Sequence, residues 1–204
     1  MRRRNLVIGI FSSIALSACS QGWQTAYDNN PSVGQSADWS VKKIVVSVPG
    51  NLSVSEADLF SPNADIVWRG EPLGDRRAQV RRMFIDAATL SVASITDDGR
   101  AVDLHITVNH FHATTEKTRT TFNAAGVHNI SFAINILDSN TSAVLASEAD
   151  VDADLVAFSG ETARVAEAAG QTQRVRIVQH LAQVISGWLG TGPDVRKSFS
   201  RVGR

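Results

Sequence analysis

Between Val102 and Leu137 the sequence alternates apolar and polar residues twice, and that alternation restricts the fold more than any other feature. Val102, Leu104, Ile106 and Val108 interleave with Asp103, His105, Thr107 and Asn109, and Ile130, Phe132, Ile134 and Ile136 repeat the pattern. A period of two puts every second side chain on one face, so each run predicts a strand with one buried face. Asp138-Ser139-Asn140-Thr141 has turn chemistry and predicts a hairpin into a third strand from about Ala143 toward Phe158. The threonine-rich stretch from Thr114 to Gly126 reads as a long hairpin tip.

Two helices are expected to cover this meander. Asp75 can cap a helix running to about Ser94, with Val80, Met83, Phe84, Ala87, Ala88, Ser91, Val92 and Ile95 at helical spacing. Thr172 to Leu189 repeats the pattern with Val175, Val178, Leu181, Ile185 and Trp188, and Gly190 stops it. Ahead of them, Lys42 to Val48 is a β-branched run ended by Pro49-Gly50, and Asp65 to Arg69 is a short extended segment. The predicted order is β-α-β-β-β-α. It describes an α+β two-layer sandwich, with a mainly antiparallel sheet of about four strands and two helices on one face.

The N-terminus carries a different kind of signal. Arg2, Arg3 and Arg4 precede an apolar run from Leu6 to Leu16, and Ser17-Ala18-Cys19 follows. A basic start, a short apolar core and a small-residue exit are the parts of a secretory signal, and the run is too short for a membrane span. Leu16-Ser17-Ala18-Cys19 resembles the lipobox of bacterial lipoproteins. That resemblance implies a diacylglycerol thioether on Cys19, cleavage between Ala18 and Cys19, and acylation of the freed amine. Cys19 is the chain's one cysteine, so no internal disulfide competes for it. Ser20 stands where many inner-membrane lipoproteins have aspartate, which by the same resemblance implies the outer membrane, facing the periplasm.

The domain plan is then a signal at 1–18, a lipidated N-terminus and flexible tether at 19–40, one α+β domain at 41–190, and a basic, disordered tail at 191–204. Trp23 and Trp39 bracket the tether, and Trp39 is expected to pack on the domain. Removing residues 1–18 takes away three arginines and no acid, leaving 17 basic against 20 acidic residues. A net charge near −3 excludes the basic footprint of a nucleic-acid binder. Hydrophobic residues make up 43% of the chain, enough for a core that must stand without disulfides.

Candidate chemistry is sparse. His110 and His112 share a strand face and could ligate a metal, but zinc wants a third side-chain ligand, and His105 points the other way, while His128 and His180 are distant in sequence. Glu148, Asp150, Asp152 and Asp154 form an alternating acidic row, suited to acid–base work or to a solvated strand face. The sequence contains no serine-nucleophile elbow, phosphate loop or dinucleotide fingerprint. Trp68 and Arg69, in the Pro/Gly-rich stretch to Arg77, are candidate interaction anchors, with a core role for Trp68 as the alternative. The tail residues Arg196, Lys197, Arg201 and Arg204 can meet anionic lipid or polymer.

The layout is similar to that of the lipopolysaccharide-assembly lipoprotein and of auxiliary lipoproteins of ABC-type lipid transport. The stretch Ala64 to Arg77 resembles an uncharacterised family of candidate alphaproteobacterial lipoproteins. These resemblances imply a lipid-anchored, non-catalytic envelope accessory without a cofactor, held to the membrane by its acyl chains. Its partner would be an envelope protein complex or a transported lipid. The alternative is a periplasmic hydrolase or metal-binding protein using His110, His112 and the strand Glu148 to Asp154.

Overall fold

A computed structural model describes residues 22–201; the signal, Ala18 and Cys19 lie outside the described residues. In chain order the elements are β1 (Gly22–Ala26), α1 (Val33–Ala37), β2 (Trp39–Ser47), β3 (Val54–Ser55), β4 (Ile66–Val67), α2 (Arg76–Val92) and β5 (Arg100–His112). They continue with α3 (Glu116–Thr121), β6 (Val127–Asp138), β7 (Val144–Ala153), β8 (Leu155–Val156), α4 (Gly160–Ala168), α5 (Gln173–Leu189) and β9 (Lys197–Ser200). The strands form one mixed sheet in the order β3-β4-β5-β6-β7-β1-β9, with β2 also on β5 and β8 on β6.

The alternating runs form the centre as expected. Antiparallel β5 and β6 pair from Val102 opposite Asp138 to His112 opposite Asn129, and β7 adds antiparallel to β6. Their apolar faces are buried under α2 and α5. Phe84 of α2 meets Phe132 edge-on at 5.3 Å and Phe111 at 6.4 Å, arrangements that add to the area buried. Asp75 and Gly190 act at the helix ends as expected, and Thr172 proves to be a cap rather than the first helical residue. Asp75 accepts the Ala78 amide at 3.0 Å, Thr172 accepts that of Val175 at 3.3 Å, and Gly190 closes α5 with φ 72°.

The predicted sheet of about four mainly antiparallel strands with two helices is corrected here. Nine strands and five helices occur among the described residues. Strand β2 runs parallel to β5, Trp39 opposite Arg100 through Ser47 opposite Thr107, and β4 is also parallel to β5. The reason is the crossover. The 17 residues of α2 rise about 25 Å, the length of the strands they cover, and so return the chain to the end where β2 began. The Thr114–Gly126 stretch is no plain hairpin tip, because Thr115 caps the short helix α3 through the Thr118 amide at 3.2 Å.

Two segments read as chain without structure are strands. β1 pairs antiparallel with β7, Thr25 opposite Ala153, and with β9, Gly22 opposite Ser200 through Thr25 opposite Lys197. The tether expectation for 19–40 fails from Gly22 onward, and the disordered-tail expectation fails for 197–200. Both segments are short and polar, with no period of their own, so their order comes from partners far along the chain. Trp23 is buried and donates its indole N–H to the Arg201 carbonyl at 3.1 Å. Trp39 is buried too, as expected.

A tether residue would tolerate truncation, whereas a core residue would not. Trp23→Ala is expected to destabilise the domain by about 3 kcal/mol, read as a lower urea midpoint at unchanged slope; an unaltered midpoint would return β1 to the status of a leash.

Candidate functional site

The acidic row turns out to be a dock for β1. Glu148 is buried and its Oε2 accepts the backbone amides of Asp28 at 3.0 Å and Asn29 at 2.7 Å. Asp152 accepts the Gln24 side chain at 2.6 Å. Asp154 is buried and accepts the amide of Gln24 at 3.0 Å, the side chain of Asn129 at 2.8 Å and the amide of Ile130 at 3.3 Å. These donors hold the Glu148 carboxyl below its ordinary range against a burial effect in the opposite direction, while burial wins at Asp154 and raises it. Asp150 alone stays on the exposed surface.

The histidines do not assemble with these acids. His110 and His112 stack with ring centroids 5.9 Å apart and planes 3° from parallel, on one face as expected. His112 is buried, and its Nε2 lies 2.9 Å from the Pro62 carbonyl, an acceptor that keeps a proton on that nitrogen. His105 is half-buried and, contrary to expectation, lies on the same face of β5 as His110 and His112, because the register shift between Val108 and His110 reverses the alternation. Among the described residues no group of three His, Cys, Asp or Glu is placed to hold a metal ion. The residues present do not fit the metal-site alternative.

Trp68 and Arg69 are structural. Trp68 is fully buried, edge-on to Phe111 at 6.0 Å and 85°. A methyl on Gly70 would come within 2.3 Å of its ring, so glycine is needed for the indole to lie across the turn. Arg69 pairs with Glu116 at 3.0 Å and reaches Glu56 and Asp58 at 3.9 and 4.0 Å, tying the loop after β3 to α3. Trp68 thus fills the core, the alternative reading of it, and Arg69 is engaged by three carboxylates.

A cleft that the sequence did not single out gathers positive charge instead. It has a volume of about 340 Å³ and lies between α5, the α4–α5 connection, Leu155 and Phe158, and Lys197 of β9. Arg176, Lys197, His180, Gln171, Gln179 and Gln183 supply its polar lining, which contains no carboxylate. Arg176 stacks its guanidinium over the Phe158 ring at 3.3 Å and donates to the Val156 carbonyl at 2.8 Å. Arg201 donates to the neighbouring Ala157 carbonyl at 3.1 Å, and its Nε is buried with no hydrogen-bond partner. Among the described residues no carboxylate pairs with Arg176, Lys197 or Arg201.

Burial and the like charge of Arg201 bring Arg176 down to about 10, still cationic at neutral pH. His180 lies 3.5 Å from the Thr25 hydroxyl, and burial, then Lys197, bring it down to about 4. Behind it His128 is fully buried and accepts the Thr114 amide at 3.4 Å. Burial, aided by the charge of Arg176, takes it to about 3. Two neutral histidines therefore back a set of unneutralised cations, a setting for an anionic group rather than for proton transfer. The legible trace was the spacing of Arg176, Gln179, His180 and Gln183 at i, i+3, i+4 and i+7, one side of a helix. The basic tail supplied the rest. Two other hollows, one of about 370 Å³ between Ala37, Ile95 and Gly190 and one of about 490 Å³ beside Trp39, lack such a concentration of one charge.

The sequence of residues 39–204 matches DUF6778, a family of unknown function. The chain belongs to that family. No curated protein matches it. Two solved structures resemble it in part. A candidate lipoprotein from Caulobacter crescentus CB15 is 15% identical, covering 78% of this chain and 93% of its own, with a TM-score of 0.42. The PelC dodecamer from Paraburkholderia phytofirmans is 11% identical, covering 81% of this chain and 96% of its own, with a TM-score of 0.37. At that distance the function of this family member rests on its own residues.

The two histidines set an acid response. Both are lowered in the fold relative to an unfolded value near 6.5, so the unfolded chain binds protons first as pH falls. Stability is then full above pH 6.5 and declines toward pH 4, by up to about 3 kcal/mol for His180. Asp154, raised in the fold, offsets part of this at the acid end. Thermal melting of His180→Gln against the parent chain should show a shallower decline between pH 6.5 and 4.5; parallel curves would contradict the assignment.

Proposed function

We propose that this chain is a lipid-anchored, non-catalytic protein of the bacterial envelope that binds an anionic group in the cleft between α5 and β9. The observation that carries the binding role is the pair Arg176 and Lys197 in the cleft lining, with Arg201 acting on Arg176, and among the described residues no carboxylate paired with any of them. The charge of Arg201 acts on Arg176, and an anion bound at Arg176 and Lys197 would offset that repulsion. Three glutamines offer uncharged donors and acceptors around it, which suits a phosphate or carboxylate carried on a polar body.

Leu16-Ser17-Ala18-Cys19 supports the anchor, with diacylglycerol on the Cys19 thiol and one or more further acyl chains holding the protein at the membrane. Ser20 supports the outer membrane, with the domain facing the periplasm. An accessory role beside an envelope complex or a transported lipid follows from such a site on such an anchor. The cation cluster fits the phosphate of a lipid headgroup as well as an anionic polymer.

Intact mass of the processed chain should place its first residue at Cys19 with a diacylglycerol increment, and Cys19→Ser should leave the precursor uncut. Calorimetric titration of the processed chain with glycerol phosphate and with phosphatidylglycerol nanodiscs separates free phosphate from headgroup. Arg176→Glu should weaken whichever binds by roughly tenfold or more; binding to neither, or equal binding by Arg176→Glu, would refute the site.

A further inference from the structure

We infer that the end of the domain bearing Leu59, Phe60 and Phe122 lies on the bilayer, with both phenylalanine rings in the headgroup region. The inference rests on the acyl-anchor reading of Cys19. Only Ser20 and Gln21 separate Cys19 from β1, so the Cα atoms of Cys19 and Gly22 can be at most about 11 Å apart. An anchor that short selects which surface meets lipid. It is the end where β1 enters the sheet.

The strand register identifies that end. Thr25 of β1 pairs with Ala153, the last residue of β7; Asp152 of β7 pairs with Ser131 of β6; and Asn129 of β6 pairs with His112, the last residue of β5. Phe122 belongs to the short connection between that end of β5 and the start of β6. It meets Phe60 with ring centroids 5.1 Å apart. Phe60 and Phe122 are 42% and 43% exposed, and Leu59 beside them is 53% exposed.

These side chains are held outward by the backbone beneath them. Thr115 Oγ1 donates to the Leu59 carbonyl at 2.8 Å and Thr118 Oγ1 to the Phe60 carbonyl at 3.1 Å. Lys117 Nζ sits 4.5 Å from the centre of the Phe60 ring. Clustered exposed aromatics with a lysine rising past them match the demands of a membrane interface, where rings enter the headgroups and the ammonium stays with phosphate. Val144, an exposed apolar residue on a strand at 60%, lies near the far end of the sheet, where Leu137 pairs with it. That is about 30 Å away along β5.

The test uses the full chain, processed and acylated in cells and reconstituted in vesicles of phosphatidylethanolamine and phosphatidylglycerol containing doxyl-labelled lipid. Cys19 is the sole native cysteine and its thiol is taken by the thioether, so a fluorophore can be placed at Phe122→Cys or Val144→Cys alone. The label at 122 should lose more than about half its fluorescence to the doxyl lipid while the label at 144 is spared. Leu59→Cys gives the same reading if Phe122→Cys impairs folding. Weak and equal quenching in a chain whose Cys19 is acylated overturns the orientation and leaves the anchor standing. A label at 122 shielded from both doxyl lipid and aqueous iodide means that protein covers the patch, and overturns it too. A Cys19 without lipid overturns the anchor reading and this inference together.

Discussion

The attachment of β1 to the acidic strand β7 determines how this domain is put together. Five residues of weak strand propensity cannot order themselves, since fixing each costs about 1–2 kcal/mol of backbone entropy. Glu148 and Asp154 offset that cost with charge-assisted hydrogen bonds to the amides of Asp28, Asn29 and Gln24, each stronger than a neutral pair. Trp23 supplies the apolar share on the same strand. Once β1 is fixed, its outer edge is the template on which β9 forms, and β9 in turn delivers Lys197 to the cleft. The acids that looked like candidate catalysts are the reason the cations are where they are.

The same attachment alters the mechanical picture of the proposed anchor. Twenty free residues would let the domain roam about 25 Å from its lipid as a coil. With β1 in the sheet, the reach from Cys19 shrinks to two intervening residues. A short link leaves little orientational freedom, so the surface chemistry around the entry point acquires meaning that it would lack on a long leash. Charge and apolar surface are both concentrated around that entry point, in the 176–201 cleft and in the Phe60–Phe122 pair.

What was legible in the sequence was whatever repeats locally. The alternation at Val102–Val108 and Ile130–Ile136, the cap Asp75, the stop Gly190 and the helical spacing of apolar residues gave β5, β6, α2 and α5, because each needs only neighbours within a few residues. The parallel pairing of β2 on β5 was legible in principle from the length of α2, but reading the strands as a meander hid it. β1 and β9 were not legible, because their partners lie more than 120 residues away and neither has a pattern of its own. The cleft was half legible. Arg176, Gln179, His180 and Gln183 share one side of α5, yet nothing local says that Phe158 and Lys197 will face them.

Pairing of β1 with β9 joins residues 22 and 200, nearly the whole length of the chain. A polypeptide delivered through a translocation pore from its N-terminus presents β1 first and β9 last. The central ladder and both long helices can assemble while the C-terminus is still threading, but the outer seam has to wait. During that interval β1 has an open edge, so on the proposed export route the moment of greatest exposure to wrong partners comes just before β9 emerges.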